Sequence, residues 1–180
     1  MKKIGLFASL FLIFFYLGSQ MSLKYFSYVL YQVAKNKLGD KENVVGYGTL
    51  PNEHSRQVVK PNPDFLYAVC FYDLKNGPVR ISGDLPDSTY WSVSFFEPST
   101  VNYFVKNDME FGGSRLDITL STQKLNTKSG KEQIISPGEK GMMLVRILVP
   151  DPSPEKLAVY KKLQESIKLQ SMNLGGQASY

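Results

Sequence analysis

Arg146 lies inside Met142-Met143-Leu144-Val145-Arg146-Ile147-Leu148-Val149, an apolar run whose strand alternation puts it on one face with Met142, Leu144 and Leu148. A guanidinium stays charged at any ordinary pH, so on such a face it must be paired or must meet a pocket. Two readings are open: a structural ion pair with a strand-end carboxylate, or an anchor for a carboxylate or phosphate ligand. Arg80, in Val79-Arg80-Ile81-Ser82, poses the same choice on what reads as a wetter face.

A second polar cluster, Asn62-Pro63-Asp64-Phe65-Leu66-Tyr67, directly precedes a strand-like run. Asn62 and Asp64 either cap the turn into that strand or supply an amide and a carboxylate at the mouth of a β-sandwich or barrel. Tyr67 adds a hydroxyl there, and Tyr90 an aromatic wall. Glu97, Asn102, Asn107 and Asp108 come after the strand-like segment 90–96 and are expected near the same rim. Paired carboxylates are the usual equipment for acid/base work, but chain spacing does not make two of them converge.

Other chemistries lack their parts. His54 is the only histidine and sits in polar Asn52-Glu53-His54-Ser55-Arg56, so it reads as a solvated loop residue. With one histidine, neither a histidine-based metal site nor a Ser/His/Asp triad has a layout, and no metal or cofactor is expected. Gly112-Gly113 reads as turn chemistry rather than a phosphate cradle. The single cysteine, Cys70, excludes an internal disulfide and belongs to an apolar strand-like run, where it reads as core packing.

The elements that must hold these residues are mostly strands. Segments 66–73 and 79–82 flank Asn76-Gly77, a short-range hairpin signal. Segments 90–96 and 117–120 read as further strands, and 141–149 as a strand central in its sheet because it is almost continuously apolar. Residues 126–132 form a polar loop. Ser153-Pro154-Glu155 opens a helix with an N-cap serine and a first-turn proline, and that helix carries Leu157, Tyr160, Leu163 and Ile167 on one face. The tail from Ser171 is polar and reads as frayed.

The chain begins with Lys2-Lys3 and an apolar run over residues 4–17, with no further charge before Lys24. The run alone is short for a bilayer; extended to Leu23 it is long enough. A signal peptide with a poor cleavage site near Leu17-Gly18-Ser19 and an uncleaved anchor both fit. The anchor explains better why Phe26, Val29, Leu30 and Val33 resume at helical spacing among tyrosines suited to a headgroup belt. The first helix should stop at Leu38-Gly39. The division is therefore 1–23 anchor or signal segment, 24–39 juxtamembrane helix and 40–180 one β-rich domain. A leader-like start exports the chain behind it, and this puts the domain on the periplasmic side of a single-pass protein. Lys24, Lys35, Lys37 and Lys41, counted literally, argue the reverse.

Composition agrees with one folded domain: 43% hydrophobic and 21% charged residues, with eleven Phe and eleven Tyr that favour strands over helices. The formal net charge of +5 raises the question of nucleic acid, but the Lys and Arg residues are scattered and form no RNA-binding module. Nucleic acid is not an expected partner; membrane lipid is.

Several of these segments, taken in order, resemble the domain-of-unknown-function 1254 family in its short, membrane-anchored bacterial form. The resemblance rests on Asn62-Pro63-Asp64-Phe65-Leu66-Tyr67, Asp73-Leu74 with Gly77-Pro78-Val79, Pro86 with Tyr90-Trp91-Ser92, residues 102–108, and Ser136-Pro137 through Gly141 to Arg146. Phe65 stands where the family usually has threonine, and Thr89 where an arginine often precedes the aromatic pair. The resemblance implies a β-rich fold with a helical flank, no assigned activity, and a frequent companion, the family numbered 1214, fused or encoded alongside.

The fold expected is thus α+β: a mainly antiparallel β-sandwich or barrel-like core, an N-terminal membrane helix and a C-terminal amphipathic helix. The leading functional reading is a membrane-anchored envelope protein that binds or assembles with a companion. Its rival is an enzyme or small-molecule binder with an aromatic-lined pocket for an anionic ligand, formed by Asn62, Asp64, Tyr67, Tyr90 and Arg146. In the rival, Arg146 holds the anion, Asp64 is a general base and Tyr67 donates a hydrogen bond.

Overall fold

Period-two runs rich in β-branched and aromatic residues make strands here, and a long apolar run makes the first helix. The computed structural model describes residues 2–38, 41–52, 61–125 and 132–172. The order is α1 (Lys2–Leu38), β1 (Val45–Tyr47), β2 (Phe65–Asp73), β3 (Val79–Asp84), β4 (Trp91–Phe96), β5 (Asn102–Asn107), α2 (Asp108–Phe111), β6 (Arg115–Ser121), β7 (Glu132–Ile135), β8 (Lys140–Leu148), α3 (Pro154–Ser166) and β9 (Lys168–Ser171). One sheet has the order β1-β2-β8-β4-β5, the other β7-β6-β3-β9. The pairings are antiparallel except β6 with β7. The α+β sandwich reading is correct, and the sheets do not close into a barrel.

The central placement of β8 follows from its sequence, apolar at nearly every position. Met143, Val145 and Ile147 enter the core at 0–1% exposure, joined by Leu66, Ala68, Cys70, Trp91, Val93 and Phe95 from its neighbours. Ile81, Leu116, Ile118 and Leu120 come from the second sheet. Cys70 is fully buried, and burial pushes its thiol up to about 12, so it packs as an inert apolar side chain. Gly141 is required where it stands: a Cβ there would run into the Tyr72 hydroxyl and the Phe96 carbonyl. That hydroxyl shares a buried network with Tyr103 at 2.7 Å and Ser136 at 3.0 Å.

Three expectations are corrected. The Asn76-Gly77 turn does not close a hairpin, because β2 pairs with β1 and β8 while β3 pairs with β6 and β9. The turn spans Leu74 to Gly77, with the Gly77 N–H donating to the Leu74 carbonyl at 3.0 Å, and carries the chain from one sheet to the other. Only Gly77 of the pair takes a positive φ, 114°. The polar segments read as rim and tail also hold strands: β5 carries Asn102 and Asn107, and β9 ends at Ser171. Finally, Ser153 makes no side-chain cap on α3, whose start relies on its first-turn proline. On that helix Leu157 and Tyr160 pack against the core, Leu163 is half-buried and Ile167, just past its end, is buried. His54, Gly39 and residues 126–131 of the polar loop lie outside the described residues.

The foot of α1 rests on the outer face of the five-stranded sheet. Tyr31 is 6% exposed; its hydroxyl donates to the Gly141 carbonyl at 3.1 Å and its ring meets Phe71 edge-on at 5.4 Å. Asn43, held at φ 60°, fastens the following turn to the end of β2 by exchanging side-chain hydrogen bonds with the Asp73 backbone at 2.8 and 2.9 Å. Phe26, Val29, Leu30 and Val33 point away from this contact and are 61, 36, 39 and 38% exposed, so the apolar stripe legible in the sequence is not the one that packs. One long aromatic reaching Phe71 makes the contact instead.

Ions lock the same corner. Glu42 accepts from Lys35 at 2.8 Å and from Lys140 at 3.0 Å, and Lys140 also reaches Asp73 at 3.0 Å. Lys35 first, then Lys140, holds the Glu42 carboxyl below its ordinary range. A depressed carboxyl contributes stability above its unfolded value, about 4.3, and loses it as pH falls through the lower folded value. Glu42→Gln is therefore expected to lower Tm at pH 7 by an amount equivalent to about 0.5–1 kcal/mol and to flatten the decline of Tm below about pH 4. Thermal unfolding of the full chain in detergent across pH checks both.

Candidate functional site

Alternation sorts the five-stranded sheet into a core face and an outer face, and register stacks the outer residues into rungs. Tyr67 on β2 is opposite Arg146 on β8, which is opposite Ser92 on β4, which is opposite Asn107 on β5. The next rung toward α1 is Val69, Leu144, Ser94 and Val105; the next in the other direction holds Phe65 and Leu148. Tyr90 lies beside these last two: its carbonyl accepts from the Leu148 N–H at 2.9 Å, and its ring meets Phe65 edge-on at 6.2 Å.

Tyr67, Tyr90 and Arg146 thus share one corner of the outer face, Asn62 joins it through the Tyr67 hydroxyl, and Asp64 stands at the entry to β2. Arg146 is half-buried there and donates through Nε and a terminal nitrogen to the Ser92 hydroxyl, at 3.3 and 3.1 Å. Among the described residues no carboxylate pairs with it. The bidentate ion pair belongs instead to Arg80, whose Nε and terminal nitrogen each lie 2.8 Å from Asp117. The Tyr67 hydroxyl accepts from the Asn62 N–H at 3.0 Å, and the Asn62 side chain accepts from the Asp64 N–H at 3.0 Å. Asn62 therefore caps the entry to β2, the plainer of its two readings. Asp64 is exposed, and its carbonyl accepts from the Val149 N–H at 2.8 Å.

The corner is a shallow face, with Tyr90 37% exposed and Phe65, Tyr67, Leu148 and Arg146 half-buried. It offers one guanidinium, the phenols of Tyr67 and Tyr90 and the ring of Phe65, which suit a flat or anionic partner surface. The remaining rim residues divide. Glu97 and Asn102 stand at the opposite end of the sheet, where Phe96 pairs with Met142, because β4 runs antiparallel to β8. Asn107 stays near the corner and caps α2 by accepting from the Glu110 N–H at 3.1 Å.

Ser92 was not legible as a site residue. A serine at 0% exposure in a strand is ordinary until register puts it opposite Arg146. Because Arg146 is tied to the fold by a hydroxyl rather than a counter-ion, Arg146→Met is expected to keep the sandwich and change stability by about 1 kcal/mol or less. Chemical denaturation of the full chain in detergent checks this; loss of cooperative folding would mean the guanidinium carries structure.

A family model described as "Protein of unknown function (DUF1254)" matches residues 42–171. No curated protein matches the chain. Two crystal structures share its fold. The VPA0106 protein from Vibrio parahaemolyticus matches at 12% identity and a TM-score of 0.60, over 86% of this chain and 39% of that one. An uncharacterized protein from Burkholderia cenocepacia matches at 14% identity and a TM-score of 0.50, over 89% of this chain and 44% of that one. The chain therefore aligns with about two fifths of the length of each.

Proposed function

The chain belongs to the DUF1254 family, and we propose that within it this protein is a membrane-anchored envelope module that receives a companion protein on its outer sheet face. The carrying observation is the form of α1. Its 37 residues run unbroken from an apolar stretch, none of whose described side chains is buried against protein, to a foot seated on the sheet. At 1.5 Å per residue it is about 55 Å long, against a hydrocarbon core of about 30 Å, so a span ending near Lys24 leaves about 20 Å of helix between bilayer and domain. The foot then holds the sheet at a set height above the bilayer.

Two features support a companion. The outer face beyond α1 carries half-exposed Phe65, Val69, Leu144 and Leu148 with Val105 at 55% exposure, around a guanidinium that has no counter-ion among the described residues. The outward stripe of Phe26, Val29, Leu30 and Val33 adds an apolar strip on the same helix, suited to headgroups or to a second protein. The companion implied by the family resemblance is a protein of the 1214 unknown-function family, and the domain is assigned to the periplasmic side.

The full chain is expected to remain in the membrane fraction after high-salt and alkaline washes and to need detergent for release, and an alkaline phosphatase fused to its carboxyl end should be active. Recovery of the intact chain in a detergent-free soluble fraction would sink the anchor. An inactive reporter on an expressed fusion would reverse the side.

Arg146, lacking a counter-ion among the described residues, favours a second reading, in which the corner binds an anionic small molecule with Arg146 on the anion, Tyr67 as donor and Asp64 as base. Such a ligand at 100 times its Kd should stabilise the protein by about 2.7 kcal/mol. Arg146→Met should remove that stabilisation while the fold survives. A screen of carboxylates and phosphates by thermal shift decides, and a flat response retires this reading.

A further inference from the structure

On the side of α1 turned away from the sheet, Phe11, Phe15, Gly18, Ser22, Phe26, Val29 and Val33 succeed one another at steps of three and four residues, the period of a single helix face. All seven are exposed, none is charged, and the rings of Phe11 and Phe15 stack at 6.2 Å. α1 meets its own sheet through Tyr31, with Ser27, Lys35 and Leu38 half-buried on the same side. At about 100° per residue, Val29 and Val33 each stand about 160° around the helix from Tyr31, so the stripe lies opposite the domain.

With the span ending near Lys24, the stripe crosses the bilayer surface between Ser22 and Phe26. Lipid covers the part below and leaves Phe26, Val29 and Val33 in water, whereas a soluble partner covers only the part above. What covers the whole stripe must be a helix that leaves the bilayer beside α1. A second α1 is such a helix, with the same stripe at the same height. Two copies cross the bilayer in the same sense, so they pair in parallel about a two-fold axis along the helices, and each stripe residue meets its own counterpart. Self-contact of this kind excludes charge, and the stripe carries none. The same axis sends the two sheets to the outside of the pair.

The area is sufficient. With aromatic side chains of about 150–250 Å², three rings that are 61–67% exposed, together with the two valines, bring roughly 500 Å² per helix. A symmetric pair then covers on the order of 1,000 Å², the area a specific interface has to reach. Small residues at the middle of the stripe let two backbones approach. A Cβ at Gly18 would meet nothing within 4 Å, so packing within the chain does not call for a glycine in this helix interior. We propose that α1 is also a dimerisation helix, along which two copies of this chain pair in parallel through the bilayer and above it. This inference rests on the anchor reading.

Cys70, the only cysteine, is buried, so an introduced cysteine reports alone. Washed membranes holding the full chain as Val29→Cys, Val33→Cys or Tyr28→Cys are oxidised with copper phenanthroline and run on non-reducing gels. Tyr28 is the control, 51% exposed but off the stripe. Val29→Cys and Val33→Cys should cross-link to a band of twice the chain's mass, and Tyr28→Cys should not. Val29→Lys, outside the bilayer and away from the sheet, should raise the dissociation constant of the dimer about tenfold or more in detergent sedimentation, with the circular dichroism unchanged. Equal cross-linking at all three positions, none at any, a cross-linked band of another mass, or a dimer indifferent to Val29→Lys each overturns the pairing and leaves the anchor standing. Absence of the chain from the washed membranes overturns both.

Discussion

The position of β8 between β2 and β4 is the constraint from which the other features descend. Its residues pair on both sides, so every second side chain is committed to the core and the rest to the outer face. Met143, Val145 and Ile147 fill the interior; Met142, Leu144, Arg146 and Leu148 face out. A slip of one residue would bury the Arg146 guanidinium among Trp91, Val93 and Leu66, at a desolvation cost no neighbour there offsets. Register therefore fixes the core, the outer face and the arginine at its centre together.

The two ends of that face are used differently. At one end, Gly141 leaves room for the Tyr72 hydroxyl, and the Gly141 carbonyl takes the hydrogen bond from Tyr31 that seats α1. Around it, Lys35, Glu42, Lys140 and Asp73 form a small ion network, more effective than isolated surface pairs because each lysine meets a carboxylate already held in place. At the other end, Phe65, Tyr67, Tyr90 and Arg146 stay half-exposed, the residues a partner would meet. α3 braces this geometry from the side: buried Gln164 donates to the Gly48 and Tyr67 carbonyls at 2.9 and 2.7 Å, tying the residue after β1 and the start of β2 to the helix. The two helices α1 and α3 thus both bear on β2.

Much of this was legible one residue at a time. The apolar run 4–17 marks a long N-terminal helix on composition alone, and α1 is that helix. The nearly unbroken apolar stretch around Val145 marks a strand inside a sheet, its outward Met142, Leu144 and Leu148 lying on a face that is only half-exposed. Cys70 inside an aromatic run reads as buried, and it is. The failures have one cause, that local signals do not carry information about partners. Asn76-Gly77 is turn chemistry, yet which sheets the turn joins depends on strands far along the chain. The stripe from Phe26 to Val33 has helical spacing, but spacing does not say which side meets the protein.

What the chain's sequence determined by itself is the inventory: an apolar lead helix, strands of alternating character, one arginine among aliphatic residues and a polar entry into β2. These follow from local preferences and periodicity, which need no long-range information. Tertiary structure decided which of those groups share a surface. It set Tyr67, Arg146 and Ser92 on one rung, gave a bidentate carboxylate to Arg80 rather than to Arg146, and sent Glu97 to the far end of the sheet. The physical reason is that cross-strand register is fixed by burying a whole face at once, a cooperative choice that no single segment records.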